Sequence, residues 1–297
     1  MSIKVGILMG GNSQERLISL STAKAVTNAC ISLGYSVTHL SFENNYIKFL
    51  DKMKRLDIVF NALHGGMGEN GEIQSWMDEN RIKYTGSGPL ASALCMDKEK
   101  SKILVKENNI ETPSWQLITD IKDDIIIDLP FVVKPNEQGS TFGLSVVKKQ
   151  KEITSAIEMA FKYGKNILIE EYIQGRELTV PVVGDEVYPI VEIQPSHFLY
   201  DYYCKYTPGM TKYICPAILD THLEKKIYNN TKLLFDKFNC SVYGRLDFIL
   251  DTKASVPYFL EMNTLPGMTA TSLVPKSATA MGIKFKKLIE TIIKLSI

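Results

Sequence analysis

The 297-residue chain lacks any run approaching 18 apolar residues, so no segment is long enough to read as a transmembrane helix. Its apolar start at residues 3–9 is too short for a secretory h-region and has no small-residue cleavage site behind it. Neither charge sign is in excess. The 34 Lys and Arg against 33 Asp and Glu leave a formal +1, so no overall field gathers nucleic acid or an anionic membrane surface, and no local basic patch stands in for one. Cysteine is sparse. Cys30, Cys95, Cys204, Cys215 and Cys240 are odd in number, scattered and without a Cys-x-x-Cys pair, which argues against a disulfide framework or a thiolate zinc site and predicts a protein of the reducing cytoplasm. Also missing are Gly-x-x-x-x-Gly-Lys-[Ser/Thr], His-Glu-x-x-His and Gly-x-Ser-x-Gly. Their absence disfavours P-loop NTPases, zincins and α/β-hydrolases.

What is present is the composition of a folded protein, 45% hydrophobic and 23% charged, at a length that suits about two domains. Residues 1–94 alternate strand and helix. An apolar burst ends at Gly10-Gly11, and the helix after Asn12 carries Leu17, Leu20, Ala23, Cys30 and Leu33 at helical spacing, with Gly34 as its C′ residue. Strands at 36–42, 57–63 and 82–85, with a helix near 71–80, predict a small, mostly parallel α/β sheet buried on both faces. A helical stretch carrying Asp97-Lys98-Glu99-Lys100 opens a second section, 95–176. Its short strands at 114–118, 131–134, 144–148 and 167–172, with one helix at 151–163, predict an α+β module. The third section, 177–297, reads as strands at 178–183, 187–193, 242–250 and 257–262, helices at 221–237 and 284–295, and an irregular stretch at 196–216.

Three segments carry candidate chemistry. Phe131-Val-Val-Lys134-Pro ends a strand on a lysine, and the loop from Asn136 through Ser140 to Gly143 follows. Such a loop turns backbone N–H groups onto phosphate oxygens beside a point charge, although a hairpin turn with a snorkelling lysine fits the local pattern equally well. In Tyr258-Phe-Leu-Glu261-Met262-Asn263 the period of two puts Glu261 and Asn263 on one face and Met262 on the other. Arg245 and Asp247 likewise share a face of a second strand, and pairing the two strands brings Asp247 beside Glu261. Facing carboxylates repel unless cations intervene, so a Mg²⁺ site and an Arg245–Asp247–Glu261 ion-pair network are both open. The turn from Asn263 to Thr269 then offers the Gly267 N–H to an oxyanion within reach of Arg245.

Taken in order and spacing, Lys134 to Gly143, Leu168 to Val180, Gly244 to Asp247 and Glu261 to Pro275 resemble the ATP-grasp fold. More narrowly, the chain resembles the D-alanine:D-alanine ligase family over almost its whole length. Further segments carry this: Gly10-Gly-Asn-Ser-Gln-Glu15-Arg16, Ala62-Leu-His64-Gly-Gly-Met-Gly-Glu69-Asn-Gly71, Tyr84 to Lys98, and Tyr200-Asp-Tyr-Tyr-Cys-Lys205-Tyr206.

The resemblance implies an N-terminal parallel α/β domain followed by a two-part ATP-grasp fold. It implies that ATP is consumed through an acyl phosphate to join two D-alanines, with two Mg²⁺ ions for which Mn²⁺ can substitute. Lys98, Lys134 and the Ser140 loop would meet the phosphates, Glu170 with the backbone from Glu171 to Ile173 the adenine, and Glu177 the ribose. Asp247, Glu261 and Asn263 would hold the metals. Glu15 and His64 would receive the first D-alanine, Lys205 and Ser272 the carboxylate of the second, and Arg245 with Gly267 the tetrahedral oxyanion. Ser140 would reach Glu15 and Tyr206 beneath a lid at 196–216. A tyrosine at 206 accompanies D-alanine as acceptor, whereas phenylalanine accompanies D-lactate. Thr271 stands where some members have histidine. A homodimer is implied, with no nucleic-acid or membrane partner. Glu15 also stands three residues after Asn12, which fits a capping box, and His64 fits a satisfied strand-end histidine. The competing readings are another ATP-grasp ligase with a different acceptor and a nucleotide-binding regulator without catalysis.

Overall fold

A computed structural model describes residues 2–196, 207, 209–269 and 271–297. The apolar burst at the start forms β1 (Lys4–Gly10), and Gly10, at φ +96°, ends it where a Cβ would meet the Phe42 carbonyl at 2.3 Å. After α1 (Arg16–Ser32) the chain returns as β2 (Ser36–Phe42), turns through the short α2 (Leu50–Met53) and enters β3 (Ile58–Asn61). These strands make a three-stranded parallel sheet in the order β2-β1-β3. The segment at 82–85 reaches the sheet edge as a single parallel bridge, Val59 to Tyr84, and not as a fourth strand. The Thr85 hydroxyl accepts the Asn61 N–H at 3.1 Å, so a side chain takes the place of the next ladder bond.

Beyond α3 (Glu72–Glu79), the helical stretch expected around Asp97 is two helices, α4 (Pro89–Met96) and α5 (Lys98–Glu107). Asp97 breaks them with extended backbone (ψ 100°), and its carboxylate caps α5 by accepting the Lys100 N–H at 3.1 Å. Next come β4 (Trp115–Ile118), β5 (Phe131–Pro135), β6 (Ser145–Val147), α6 (Ile153–Phe161) and β7 (Ile167–Glu171). Together they form an antiparallel sheet, β4-β7-β5-β6, with α6 packed on it.

The chain enters β8 (Arg176–Val183) directly after Gly175, where a Cβ would stand 2.1 Å from the Leu250 carbonyl. The section expected as one strand at 187–193 is split into β9 (Glu186–Val187) and β10 (Val191–Pro195). Pro189, which has no N–H for a ladder, lies between them. The stretch at 196–216 is not wholly irregular, since β11 (Thr211–Ile214) pairs with β10. With α7 (Thr221–Lys237), β12 (Tyr243–Asp251) and β13 (Val256–Asn263), this makes a six-stranded antiparallel sheet, β11-β10-β8-β12-β13, with β9 on β8. Two helices escaped the sequence reading: the four-residue α2, and α8 (Leu273–Ala280), whose pattern Pro275 interrupts. Pro275 sits in its first turn, where no intrahelical N–H is needed. The last helix, α9 (Phe285–Leu295), buries Leu288, Ile289, Ile292 and Ile293 against α1 and the parallel sheet, in a core that also takes Tyr243, Leu265 and Val274.

Candidate functional site

Two cavities meet at the centre of the molecule. The first, of about 460 Å³, lies between the four- and six-stranded sheets and is lined by Lys98, Lys134, Ser140, Glu170, Glu171, Ile173, Glu177, Arg245, Asp247 and Glu261, among others. The second, of about 680 Å³, runs on towards the parallel sheet past Glu15, His64, Asn263, Gly267 and Ser272. Gly139, Ser140, Arg245 and Glu261 line both. Every site residue expected from the sequence therefore borders one of the two, except Lys205 and Tyr206, which lie outside the described residues along with most of the expected lid.

At one end of the first cavity, Glu170 projects from β7 between two lysines. Lys134, on β5, donates to its Oε1, and Lys102, on α5, stands 3.0 Å from its Oε2. Burial alone would raise the Glu170 carboxyl, but the charges and hydrogen bonds of Lys102 and Lys134 outweigh it and hold it down to about 2. Burial likewise pushes the Lys102 ammonium down to about 8, with Glu170 opposing. The sequence reading did not include Lys102. Its signal was its spacing, four residues after Lys98, which places both on one face of α5.

Lys98 points from the first turn of α5 to the Gln138 carbonyl (2.7 Å) and to within 3.7 Å of Glu261. Asn136 fastens this helix end to the loop: its amide donates to Asp97 at 2.8 Å and its oxygen accepts the Glu99 N–H at 2.9 Å. Within the loop, Ser140 and Thr141 hold φ of +52° and +68°. Two successive non-glycine residues in the left-handed region are costly, and such backbone gathers where a ligand is gripped.

Strands β12 and β13 bring the acidic face together as their alternation requires. Asp247 pairs with Glu261 and Arg245 with Asn263, while Met262 turns away into the core. A bulge directly after Asp247 sets Phe248 opposite Phe259, leaving Leu260 extra and bending the strand where the carboxylates lie. Asp247 accepts from Arg245 Nε (2.9 Å) and Nη2 (2.7 Å), from Thr179 Oγ1 (2.5 Å) and from Asn263 Nδ2 (3.0 Å). Among the described residues no group of three or more His, Cys, Asp or Glu is placed to hold a metal ion. Asp247 from the first cavity, Asn263 from the second and Glu261, which lines both, nevertheless supply the oxygen donors that suit a hard cation such as Mg²⁺, which completes its shell from phosphate and water.

In the second cavity the capping box expected at Glu15 does not form. Glu15 is itself the N-cap residue of α1 and makes no side-chain cap; Ser13 Oγ instead accepts the Glu15 N–H at 3.2 Å. The Glu15 carboxylate accepts from Ser140 Oγ across the junction of the cavities. It rests against Gly65, at φ +67°, where a Cβ would approach Glu15 Oε2 to 2.7 Å. His64 is buried, with Nε2 3.0 Å from Thr22 Oγ1 and Nδ1 3.6 Å from Glu69. At the far wall Ser272 Oγ accepts the Thr269 N–H at 3.0 Å and lies beside Gly267. Lys276 and Tyr213, which the sequence reading passed over, line this wall too, the ammonium 4.7 Å from the ring centroid.

Two family models match the chain, D-ala D-ala ligase N-terminus over residues 40–87 and D-ala D-ala ligase C-terminus over residues 100–294. The chain is similar to the D-alanine--D-alanine ligase B of Clostridium perfringens, at 40% identity over 99% of this chain and 98% of that one. Its structure is similar to that of the D-alanine--D-alanine ligase from Bacillus anthracis complexed with ATP (TM-score 0.88, 33% identity, 100% of this chain and 97% of that one). It is also similar to the VanG D-Ala:D-Ser ligase from Enterococcus faecalis (TM-score 0.85, 25% identity, all of both chains).

Proposed function

The chain belongs to the D-alanine–D-alanine ligase family, with the ATP-grasp fold, and from that premise we propose how its residues activate one D-alanine with ATP and join it to a second. The observation that carries the proposal is the junction of the two cavities at Ser140, Arg245 and Glu261, where a γ-phosphate from one side meets an amino-acid carboxylate from the other.

ATP enters the first cavity with adenine at Glu170 and the Glu171–Ile173 backbone, ribose at Glu177, and phosphates between Lys98, Lys134 and the Ser140 loop. Asp247, Glu261 and Asn263 would hold Mg²⁺, which would neutralise charge on the transferring phosphoryl group. The first D-alanine places its ammonium at Glu15, beside His64, and turns its carboxylate to the junction. A carboxylate is a poor electrophile, so its oxygen first attacks the γ-phosphorus in line, the bond to the β–γ bridging oxygen breaks, and ADP leaves an acyl phosphate behind. The second D-alanine docks its carboxylate on Ser272 and Lys205, its deprotonated amine attacks the activated carbonyl, and the tetrahedral intermediate collapses to the amide as inorganic phosphate leaves and the nitrogen gives up a proton. Arg245 and the Gly267 N–H face the oxyanion that forms, and one such donor is worth about 10²–10³ in kcat. Acyl phosphates hydrolyse readily, so water must be kept from the junction; the lid expected of the 196–216 segment, Tyr206 included, falls mostly outside the described residues. The same reading takes 1–94, 95–176 and 177–297 as the working units of a cytoplasmic homodimer whose partners are D-alanine and ATP, with no nucleic-acid or membrane partner.

The test is phosphate release from Mg-ATP with D-alanine, L-alanine, or D-alanine plus D-lactate, followed by mass analysis of the product. The expected outcome is release dependent on D-alanine and a D-alanyl-D-alanine product. Release with only a different acid would keep the phosphoryl chemistry and discard this substrate.

A further inference from the structure

Lys102 is fully buried on α5 and borders neither cavity, yet three groups seat its ammonium. Nζ donates to Thr112 Oγ1 at 2.7 Å, stands 3.0 Å from Glu170 Oε2 and lies 5.4 Å from the centre of the Trp115 ring. Thr112 passes its own O–H to the Phe259 carbonyl at 2.9 Å, which anchors the seat to β13. Charge balance does not require this lysine, because Lys134 already pairs with Glu170 from the cavity side. A buried ammonium is costly, and a hydrophobic side chain in its place would pack at less expense.

What the second lysine adds is geometry. With one carboxylate oxygen tied to Lys134 and the other to Lys102, the Glu170 carboxylate cannot rotate about its terminal torsion. Each oxygen has two lone pairs, so the two ammoniums leave acceptor capacity on a group of fixed orientation that lines the cavity. A fixed carboxylate accepts from the exocyclic amine of a 6-aminopurine and repels the carbonyl of a 6-oxopurine. Discrimination of this kind depends on the acceptor being unable to swing aside.

We propose that Lys102 is a positioning residue for nucleotide selection: from behind the cavity wall it orients Glu170, and through Glu170 it sets the preference for adenine over 6-oxo bases. The proposal rests on the nucleotide site given under the preceding heading.

The test compares the Kd of Mg-ADP and Mg-IDP by calorimetry for the wild type, Lys102→Met, Lys102→Arg, Glu170→Gln and the Lys102→Met/Glu170→Gln double variant, with KM for ATP and D-alanine in parallel. The expected result is a fall of about tenfold in the ADP-over-IDP preference of Lys102→Met, seen in the ATP KM and not in kcat or the D-alanine KM, with partial recovery in Lys102→Arg. The double variant should match Glu170→Gln alone, because Lys102 acts through Glu170. A purely structural lysine would lower the melting temperature and leave the preference untouched. That outcome, or effects that multiply in the double variant, overturns the proposal. If Lys102→Met does not fold, Thr112→Val removes the lysine's other anchor and is read by the same ratio: a fall of about threefold supports the proposal, and an unchanged ratio overturns it. A wild type with no preference removes the adenine assignment of Glu170 and this proposal with it. A wild-type preference lost in Glu170→Gln but kept in Lys102→Met removes the role of Lys102 alone.

Discussion

Two lysines flank one glutamate at one end of the first cavity. The cluster titrates in a definite direction. Glu170 is held at about 2 against an ordinary 4.5, so the stability it confers is fully present above about pH 4.5 and is lost as the pH falls through 2. In urea titrations stepped down through that window, Glu170→Gln should lose less stability than the wild type; parallel losses would show that the cluster contributes nothing. Other residues were legible for a simpler reason. Glu261, Asn263, Arg245 and Asp247 needed only the period of two and one strand pairing, both of which hold. Glu15 was less legible, because a spacing of three fits a cap as well as a ligand, and only the fold brings Ser140, 125 residues away, to its carboxylate. Lys102 offered only its spacing from Lys98, which marks a shared helix face and not a site. Nothing local distinguishes a buried lysine from a solvated one on a helix of mixed polarity.

Among the elements, α1 and α9 show where a pattern of apolar residues can and cannot be trusted. Leu17 falls on the helical spacing of α1 but is 68% exposed, whereas Ile292 of α9 is 0% exposed and packs in the shared core. Leu17→Ser should therefore shift unfolding by no more than about 0.5 kcal/mol and Ile292→Ala cost about 2–5 kcal/mol by chemical denaturation. Similar values for both would contradict the packing. Helix α7 was readable because Asp220 caps it and its apolar face repeats cleanly. Helix α8 was hidden by a first-turn proline, and the break between α4 and α5 by an aspartate that looks like any other helix charge. Strand 82–85 was over-read, since a β-like composition does not reveal that a threonine hydroxyl will take the ladder's next partner.

Across the whole molecule, the first and third sections of the chain share one core through α9, Tyr243 and Leu265, while the four-stranded sheet and α6 keep another. The first cavity lies between the second of these and the six-stranded sheet and is lined by both, so a nucleotide bound there as proposed would touch both. A ligand at a hundred times its Kd adds about 2.7 kcal/mol to the stability of whatever must be folded to bind it. Mg-ADP should accordingly raise hydrogen-exchange protection in β5 and β7 as well as in β12 and β13. Protection confined to one sheet would mean that the cleft is not bridged. Strand alternation and helix periodicity foretold the sheets, but no local pattern in the sequence encodes which faces close on each other, because that depends on packing between segments more than a hundred residues apart.

The bond from Ser140 to Glu15 has a further consequence. It spans the two cavities, tying the loop proposed to meet phosphate to the carboxylate proposed to meet the amino acid's ammonium. Any ordering of that loop by one ligand is ordering the other no longer has to supply, and thermodynamic linkage makes the benefit equal in both directions. Titrated separately and together, D-alanine and ATP should each tighten the other by the same factor, and Ser140→Ala should shrink that factor towards one for both.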